Sequence, residues 1–337
     1  MVKRVGNLMP RIADISNLQE AFLRAAKGKN GKKEVVVFRS HLNANLIQIQ
    51  KELMDGCYQF GNYHFFTIYD PKERLICAAQ FRDRVVFHAM MRICHPVFDH
   101  YQVFDSYASR IGKGTYKALD RVRCFAGRYR WFVKIDMCKY FDSIHHKILY
   151  NQLNRLFKDR QLLLLFNNLL STYSTMPARG LPIGNLTSQY FANHYLSVAD
   201  HYLKETLKVP AMVRYMDDVL VFASDRNELK RFCERYSTFV RQELLLEIHS
   251  PVLNCTKRGI PFLGYVVYAD GLRLNRRSKL RFVNHLEKLM KSDINGKMKD
   301  NDIATRLTCM LSFVNKAKAS GYLHQIILGK GAYLQGL

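Results

Sequence analysis

The spacing of apolar residues along the chain predicts a mixture of helices and short strands. Apolar side chains at positions 46, 49 and 53 recur at the helical interval, and similar stretches predict helices over residues 43–54, 82–95, 145–173 and 226–242, with a helical tail from residue 276. Apolar runs predict a strand at 131–135, a hairpin at 212–223, and a strand at 262–268 that turns into 272–274. Residues 34–38 fit either a strand or a helix. The length of 337 residues is enough for two or three subdomains.

Two adjacent aspartates, Asp217 and Asp218, lie at the predicted tip of the apolar hairpin 212–223. Neighbouring carboxylates repel each other, and removing them from water costs several kcal/mol unless a cation or a partner offsets it. A metal site explains that cost best. Divalent cations held at such a site predict chemistry on phosphates.

A third carboxylate, Asp136, ends the apolar strand 131–135, where a side chain can emerge into a cleft. Taken alone, a strand-ending aspartate is more typical of a helix N-cap. Together with Asp217 and Asp218 it predicts an oxygen-rich site for two Mg²⁺ ions, for which Mn²⁺ can substitute. Two ions ~3.5–4 Å apart would clamp the attacking and leaving oxygens of an in-line phosphoryl transfer.

The net charge of the chain indicates what kind of partner it binds. There are 52 Lys and Arg against 28 Asp and Glu, a net charge of +24, which points to a polyanion, either nucleic acid or an anionic membrane surface. A membrane partner is disfavoured because no apolar run approaches about 18 residues.

The start of the chain and its cysteines indicate its location. No apolar signal core follows the first methionine, and the eight cysteines are scattered, so reduced thiols and a cytoplasmic location are expected. A metal cluster of His88, Cys94, His95 and His100 fits none of the usual zinc spacings.

Two further segments have residues suited to a nucleotide. Gly180 and Gly184 open the run 179–189 and allow close backbone approach, although loop chemistry alone favours a plain loop leading into a capped helix. Arg74 and Arg82 could hold a triphosphate by forked hydrogen bonds. The alternative for residues 82–84 is a surface charge cluster.

In chain order, residues 74–84, 136–141, 180–189, 215–218 and 262–264 resemble the successive sequence blocks of reverse transcriptases, over about residues 70–275. Most members carry Gln-Gly followed by Ser-Pro in the middle block. Here Ile183-Gly184 is followed by Ser188-Gln189, a form that resembles the reverse transcriptases of diversity-generating retroelements in bacteria and phages. Residues 81–86 and 105–115 resemble that group too.

The resemblance implies an α+β right-hand polymerase. Its fingers would comprise residues 1–130 with part of 145–190 inserted. The palm, an antiparallel sheet backed by helices, would span 131–270, and the helical thumb 271–337.

Site roles follow from the resemblance by position. Asp136, Asp217 and Asp218 match the catalytic metal-binding carboxylates, with the Met137 carbonyl as a backbone ligand. The implied dNTP-binding residues are Arg74, Arg82, Phe141, Ile183, Gly184 and Gln189, and Phe141 would be the steric gate against a ribose. The implied primer grip is Phe262, Leu263, Gly264 and Tyr265.

The implied activity is that of an RNA-directed DNA polymerase, a nucleotidyltransferase that binds template RNA, the primer or cDNA strand, and dNTPs. The retroelement type implies errors opposite template adenines, mutagenic retrohoming, and a small, basic, pentameric accessory variability protein. Ile183 removes a polar contact worth about 1–3 kcal/mol, which would reduce base discrimination. The alternatives are a group II intron-like, retron or phage-defence reverse transcriptase, or an RNA-binding protein on an inactive polymerase scaffold.

Overall fold

The structure, a computed structural model, describes residues 3–69, 73–294 and 300–317. Its N-terminal part is helical apart from one hairpin. The helices are α1 (Met9–Ile12), α2 (Ile15–Ala26), α3 (Lys33–Ser40), α4 (Leu42–Met54), α5 (Phe81–Tyr101) and α6 (Thr115–Arg128). The antiparallel hairpin is formed by β1 (His64–Ile68) and β2 (Arg74–Ala78).

Burial explains two features of these helices. In α3, Val35 and Phe38 are buried three positions apart while Val36 and Val37 are exposed, so residues 34–38 are helical. Helix α5 continues past Pro96, beyond the predicted end at residue 95, because buried side chains on both sides of the proline hold it against the core.

The central part contains a four-stranded antiparallel sheet and its supporting helices. The strands are β3 (Trp131–Asp136), β4 (Ala211–Tyr215), β5 (Asp218–Ala223) and β6 (Val252–Cys255), in the order β4-β5-β3-β6. The helices are α7 (Tyr140–Ser143), α8 (His146–Leu156), α9 (Arg160–Ser171), α10 (Leu186–His201) and α11 (Arg226–Glu243). The predicted helical stretch 145–173 is therefore two helices, separated where Asp159 caps α9 through the amide of Leu162.

Both faces of the sheet are buried, in two different hydrophobic cores. Val133 and Val221 pack into the larger core together with the N-terminal helices. Phe132 and Phe222, one position along in each strand, pack into a second core with α6. The alternation of side chains along a strand thus lets one sheet join two layers.

The C-terminal part differs from prediction at residues 262–268, which form two strands rather than one. Strands β7 (Ile260–Phe262) and β8 (Tyr265–Val267) are joined by a tight turn, in which Leu263 and Gly264 have φ of 48° and 88°. Positive φ at both central positions is the geometry of a tight hairpin turn, and leucine rarely adopts it. Strand β9 (Leu272–Leu274) pairs with β8, as predicted.

Two helices, α12 (Arg276–Ile294) and α13 (Asp300–Lys316), complete the described chain. Phe282 and Val314 pack into the second core with β7 and β8. The predicted thumb extends to residue 337, and its residues 295–299 and 318–337 lie outside the described part. Within the described residues, no helix has both the length and the apolar character needed to cross a membrane.

Candidate active site

The three predicted carboxylates converge at one end of the central sheet. Asp136, the last residue of β3, lies directly opposite Asp218, the first residue of β5. Side chains in that relation have Cβ atoms about 4.5–5.5 Å apart. Asp217 lies in the adjoining turn after Met216, whose φ is 56°. Helix α7 begins only after Lys139, so the N-cap interpretation of Asp136 is wrong.

Burial and repulsion by neighbouring carboxylates raise the pKa values of Asp217 and Asp218. Burial raises the pKa of Asp218 to about 6, although Lys134 opposes the shift, and the charges of Asp136 and Asp217 raise it further. The pKa of Asp217 is raised by burial and by Asp136, while the charge of Arg74 lowers it. The site therefore concentrates negative charge that lacks sufficient compensation from the protein.

Asp218 has one paired and one unpaired oxygen. Its Oδ2 accepts a hydrogen bond from Lys134 Nζ at 2.7 Å, and its Oδ1 is buried with no partner. Among the described residues, no three Asp, Glu, His or Cys side chains already form a closed metal-binding group. The orphaned oxygen, the raised pKa values and the all-oxygen donor set nevertheless fit a hard divalent cation such as Mg²⁺.

Residues next to Asp136 fasten its strand in place. The Asp136 carbonyl accepts from His249 N at 2.9 Å. Met137 directly follows Asp136, is buried, and forms an isolated bridge with Ile248, but no described contact shows where its carbonyl points relative to the predicted ligand role. That role stays a prediction.

The loop before α10 connects strand β2 with the segment after Asp136. The Ile183 carbonyl accepts from Cys77 N at 2.8 Å, and Leu181 N donates to the Phe141 carbonyl at 2.8 Å. Gly184 has a φ of 115°, and a Cβ there would lie 3.0 Å from Ile76. The structure thus brings Phe141, Ile183 and Gly184 together. The same segment is also a loop that leads into helix α10, as the plain-loop alternative predicted.

Gln189, the last predicted member of this loop, points elsewhere. It is exposed, and its Oε1 accepts from Ser109 Oγ at 3.3 Å. The described contacts therefore connect it to residues before α6 rather than to Ile183. Its role in dNTP binding stays a prediction.

The two predicted triphosphate arginines have different surroundings. Arg74 is exposed at the start of β2, close enough to Asp217 to lower the pKa of that carboxyl. Arg82 is paired with Glu52 at 2.5 Å and lies over the Tyr58 ring. A triphosphate would have to compete with Glu52 for the Arg82 guanidinium, so its forked binding stays a prediction.

The interpretation of 82–84 as a surface charge cluster is wrong for Asp83. That carboxylate is buried and accepts hydrogen bonds from Tyr58 Oη at 2.7 Å and Gly61 N at 2.9 Å. It fastens the start of α5 to the preceding loop.

The predicted primer-grip residues form a half-buried turn between two buried strand residues. Phe262 and Tyr265 are buried, and Tyr265 Oη donates to the Phe313 carbonyl at 2.8 Å. The turn residues Leu263 and Gly264 lie between them, and the Gly264 carbonyl accepts from Ser278 Oγ at 2.7 Å. The described contacts place this hairpin against the C-terminal helices.

Sequence reasoning missed a fully buried arginine behind the hairpin tip. The Arg214 guanidinium contacts the Asp200 carboxylate at 2.7–2.8 Å and donates to the Asn193 side chain at 2.7 Å. It also donates to the Met216 carbonyl at 2.9 Å, one residue before Asp217. The sequence signal that could have revealed this arginine is a charged residue within the apolar strand β4.

The alternative metal cluster does not assemble. Cys94 is buried in the core, and His95 Nδ1 is 3.0 Å from Tyr190 Oη. All eight cysteines are free thiols.

Comparisons with known proteins identify the family of the chain. Residues 70–267 match the family described as reverse transcriptase (RNA-dependent DNA polymerase). Because that match covers more than half of the sequence, the chain belongs to the reverse transcriptase family. The α+β fold with an antiparallel central sheet is confirmed.

Curated relatives include intron-encoded proteins. The group II intron-encoded protein LtrA of Lactococcus lactis subsp. cremoris is 26% identical over 275 residues, covering 74% of this chain and 44% of that protein. The putative COX1/OXI3 intron 1 protein of Saccharomyces cerevisiae is 28% identical over 174 residues, 49% of this chain and 21% of that protein. The chain thus spans less than half the length of these relatives.

A solved structure of telomerase from Candida albicans, in complex with a fragment of telomeric RNA, matches with a TM-score of 0.49 and 13% identity. That match covers 69% of this chain and 52% of the telomerase chain.

Proposed function

We propose that the chain is an RNA-directed DNA polymerase that extends a primer on template RNA with dNTPs. The observation that carries the proposal is the β3–β5 register, which places Asp136 directly opposite Asp218, the residue that follows Asp217. Membership of the reverse transcriptase family supports the same activity. The net charge of +24 suits a nucleic-acid substrate.

Each residue has a definite task in this proposal. Asp136, Asp217 and Asp218 would hold two Mg²⁺ or Mn²⁺ ions, with the Met137 carbonyl as a further ligand. Bound there, the ions would lower the pKa of a primer 3′-hydroxyl and neutralise the triphosphate. Arg74 adds positive charge beside Asp217, where the triphosphate would approach.

Two residues would select the nucleotide. The half-buried Phe141 ring would exclude a ribose 2′-hydroxyl, and its carbonyl orders the loop that contains Ile183. Gly184 leaves room for β2 to approach that loop. Sugar selection and base selection would therefore occur on adjacent segments.

A primer-extension assay on an RNA template, with dNTPs and Mg²⁺, tests the proposal. We expect DNA synthesis that stops when EDTA removes the metal. Binding of RNA without any extension in Mg²⁺ or Mn²⁺ would favour the alternative of an inactive polymerase scaffold.

Two narrower functions have separate support. The match to LtrA over 74% of this chain favours a polymerase of the group II intron type. The Ile183-Gly184 pair favours the mutagenic type of diversity-generating retroelements, with errors opposite template adenines and a small, basic, pentameric accessory protein as partner. A bacterial or phage host belongs to the second assignment.

Substitution of Ile183 by Gln tests the mutagenic assignment. The Ile183 backbone is held by Cys77 N, so the change alters the side chain while the loop stays anchored. A restored amide hydrogen bond should improve base discrimination by about tenfold or more, and we expect errors opposite template adenines to fall accordingly. Sequencing of cDNA made on a defined RNA template measures this.

The apolar variant Ile183→Leu is the matched control and should keep the wild-type error rate. If wild-type errors show no bias toward template adenines, the intron-type function is favoured. If they do, and Ile183→Gln leaves them unchanged, Ile183 is not their cause.

A further inference from the structure

Lys134 makes two contacts that join separate parts of the site. Its Nζ donates to Asp218 Oδ2 at 2.7 Å and to the Pro261 carbonyl at 3.2 Å. Lys134 precedes Asp136 by two residues, so both side chains project from the same face of β3. One ammonium group therefore touches both a predicted metal-binding carboxylate and the strand β7.

Strand β7 leads directly into the turn at Leu263 and Gly264. Beyond the turn, the Gly264 carbonyl accepts from Ser278 and Tyr265 donates to the Phe313 carbonyl, which anchors the hairpin to α12 and α13. The contact of Lys134 with Pro261 is thus a direct connection between the carboxylates and the predicted primer grip.

A purely charge-balancing role would not need the second contact. The side chain of Lys134 is 26% exposed and that of Asp218 is 17% exposed, so the pair is shielded without being sealed from solvent. A lysine has three donors on a flexible stem, and here two of them are directed at defined acceptors on different strands. This geometry fixes the separation between Asp218 and the hairpin.

We infer that Lys134 is a positioning residue that holds the primer-grip hairpin in register with Asp218, so that a primer 3′ end lies at the catalytic carboxylates. This inference rests on the proposed polymerase function. Loss of the link should misplace the primer terminus without preventing nucleic-acid binding.

The test uses Lys134→Met, which keeps the aliphatic stem and removes both hydrogen bonds. We expect kcat for primer extension to fall about 10- to 100-fold, with the KM for dNTP within about twofold of wild type. Lys134→Arg retains a charged donor and should recover part of the rate. The control Lys147→Met removes an exposed charge on α8 and should leave kcat unchanged.

A second readout needs no catalysis. A primer–template with 2-aminopurine at the primer 3′ end, bound in EDTA, reports the order of the terminus by fluorescence. We expect Lys134→Met and Asp218→Ala each to raise this fluorescence, and the double variant to raise it no further, because either change removes the hydrogen bond between Lys134 and residue 218. Circular dichroism confirms that the variants are folded.

The outcomes separate the inference from the function on which it rests. If the wild type does not extend a primer, the proposed polymerase function is wrong. The fluorescence measurement still tests the positioning role of Lys134, because it requires no catalysis. If the fluorescence of Lys134→Met equals that of wild type, or if the effects of the two substitutions add, the positioning role is overturned.

Discussion

Replacement of Asp217 by Asn is expected to lower the rate of primer extension at least about a thousandfold. The substitution keeps the size of the side chain and removes one negative charge from the turn between β4 and β5. The loss of about 4 kcal/mol of metal-dependent transition-state stabilisation corresponds to that factor. Single-turnover extension on an RNA template in Mg²⁺ measures it.

The same variant should bind nucleic acid and fold normally. Burial and the charge of Asp136 raise the pKa of Asp217, so removal of its charge relieves repulsion. We therefore expect a melting temperature without metal at or above that of wild type, and a primer–template affinity in EDTA within about twofold.

The matched control is Asp225→Asn. Asp225 is exposed and caps α11 through the amide of Glu228, and asparagine is an equally good cap. Its extension rate should equal that of wild type. If Asp217→Asn retains a tenth or more of the wild-type rate, the metal assignment is wrong.

The strands around the active site could be predicted because their patterns are local. Apolar residues predominate in 131–135, with Lys134 the exception, and they surround the aspartate pair; in each case the carboxylate marks the end of a strand or its turn. The pairing of β3 with β5 depends on contacts between distant parts of the chain. Only the combination of the Asp136 segment with the aspartate pair suggested it. The register then follows from burial of both faces, since a shift of one residue would exchange Phe132 and Val133 between two cores.

The remaining differences between the predicted and the observed structure arise from long-range contacts or from rare backbone conformations. Leu263 adopts a positive φ that its residue type disfavours, so the turn at 263–264 had only Gly264 as a signal. Arg74 and Arg82 have the same chemistry in sequence. Glu52, thirty positions away from Arg82, distinguishes them, and no periodicity reports such a partner.

Arg214 shows the same limit most strongly, because pattern analysis treats a charged side chain as solvent-exposed. In the structure it is fully buried and its guanidinium bonds to three other residues besides Asp200: Gln102, Asn193 and Met216. Its backbone also pairs with the segment at 105–107. The network ties the hairpin tip to α10, which follows the Ile183 loop.

We expect Arg214→Met to reduce the free energy of unfolding by about 3–5 kcal/mol, measured by urea denaturation. The change leaves the Asp200 carboxylate buried without its counter-ion, and it leaves the Met216 carbonyl without this donor. The exposed pair of Arg241 and Glu247, 3.4 Å apart, offers the matched control, and Arg241→Met should change stability by at most about 1 kcal/mol.

A double variant separates folding from catalysis. Asp200→Asn combined with Arg214→Met removes both charges, so it should lose less stability than the two single changes added together. Even where the fold is recovered, extension should remain well below the wild-type rate, because Met216 still lacks the guanidinium that fixes the turn before Asp217. Strictly additive losses of stability would contradict the ion pair, and a wild-type extension rate in the double variant would contradict its hold on the hairpin tip.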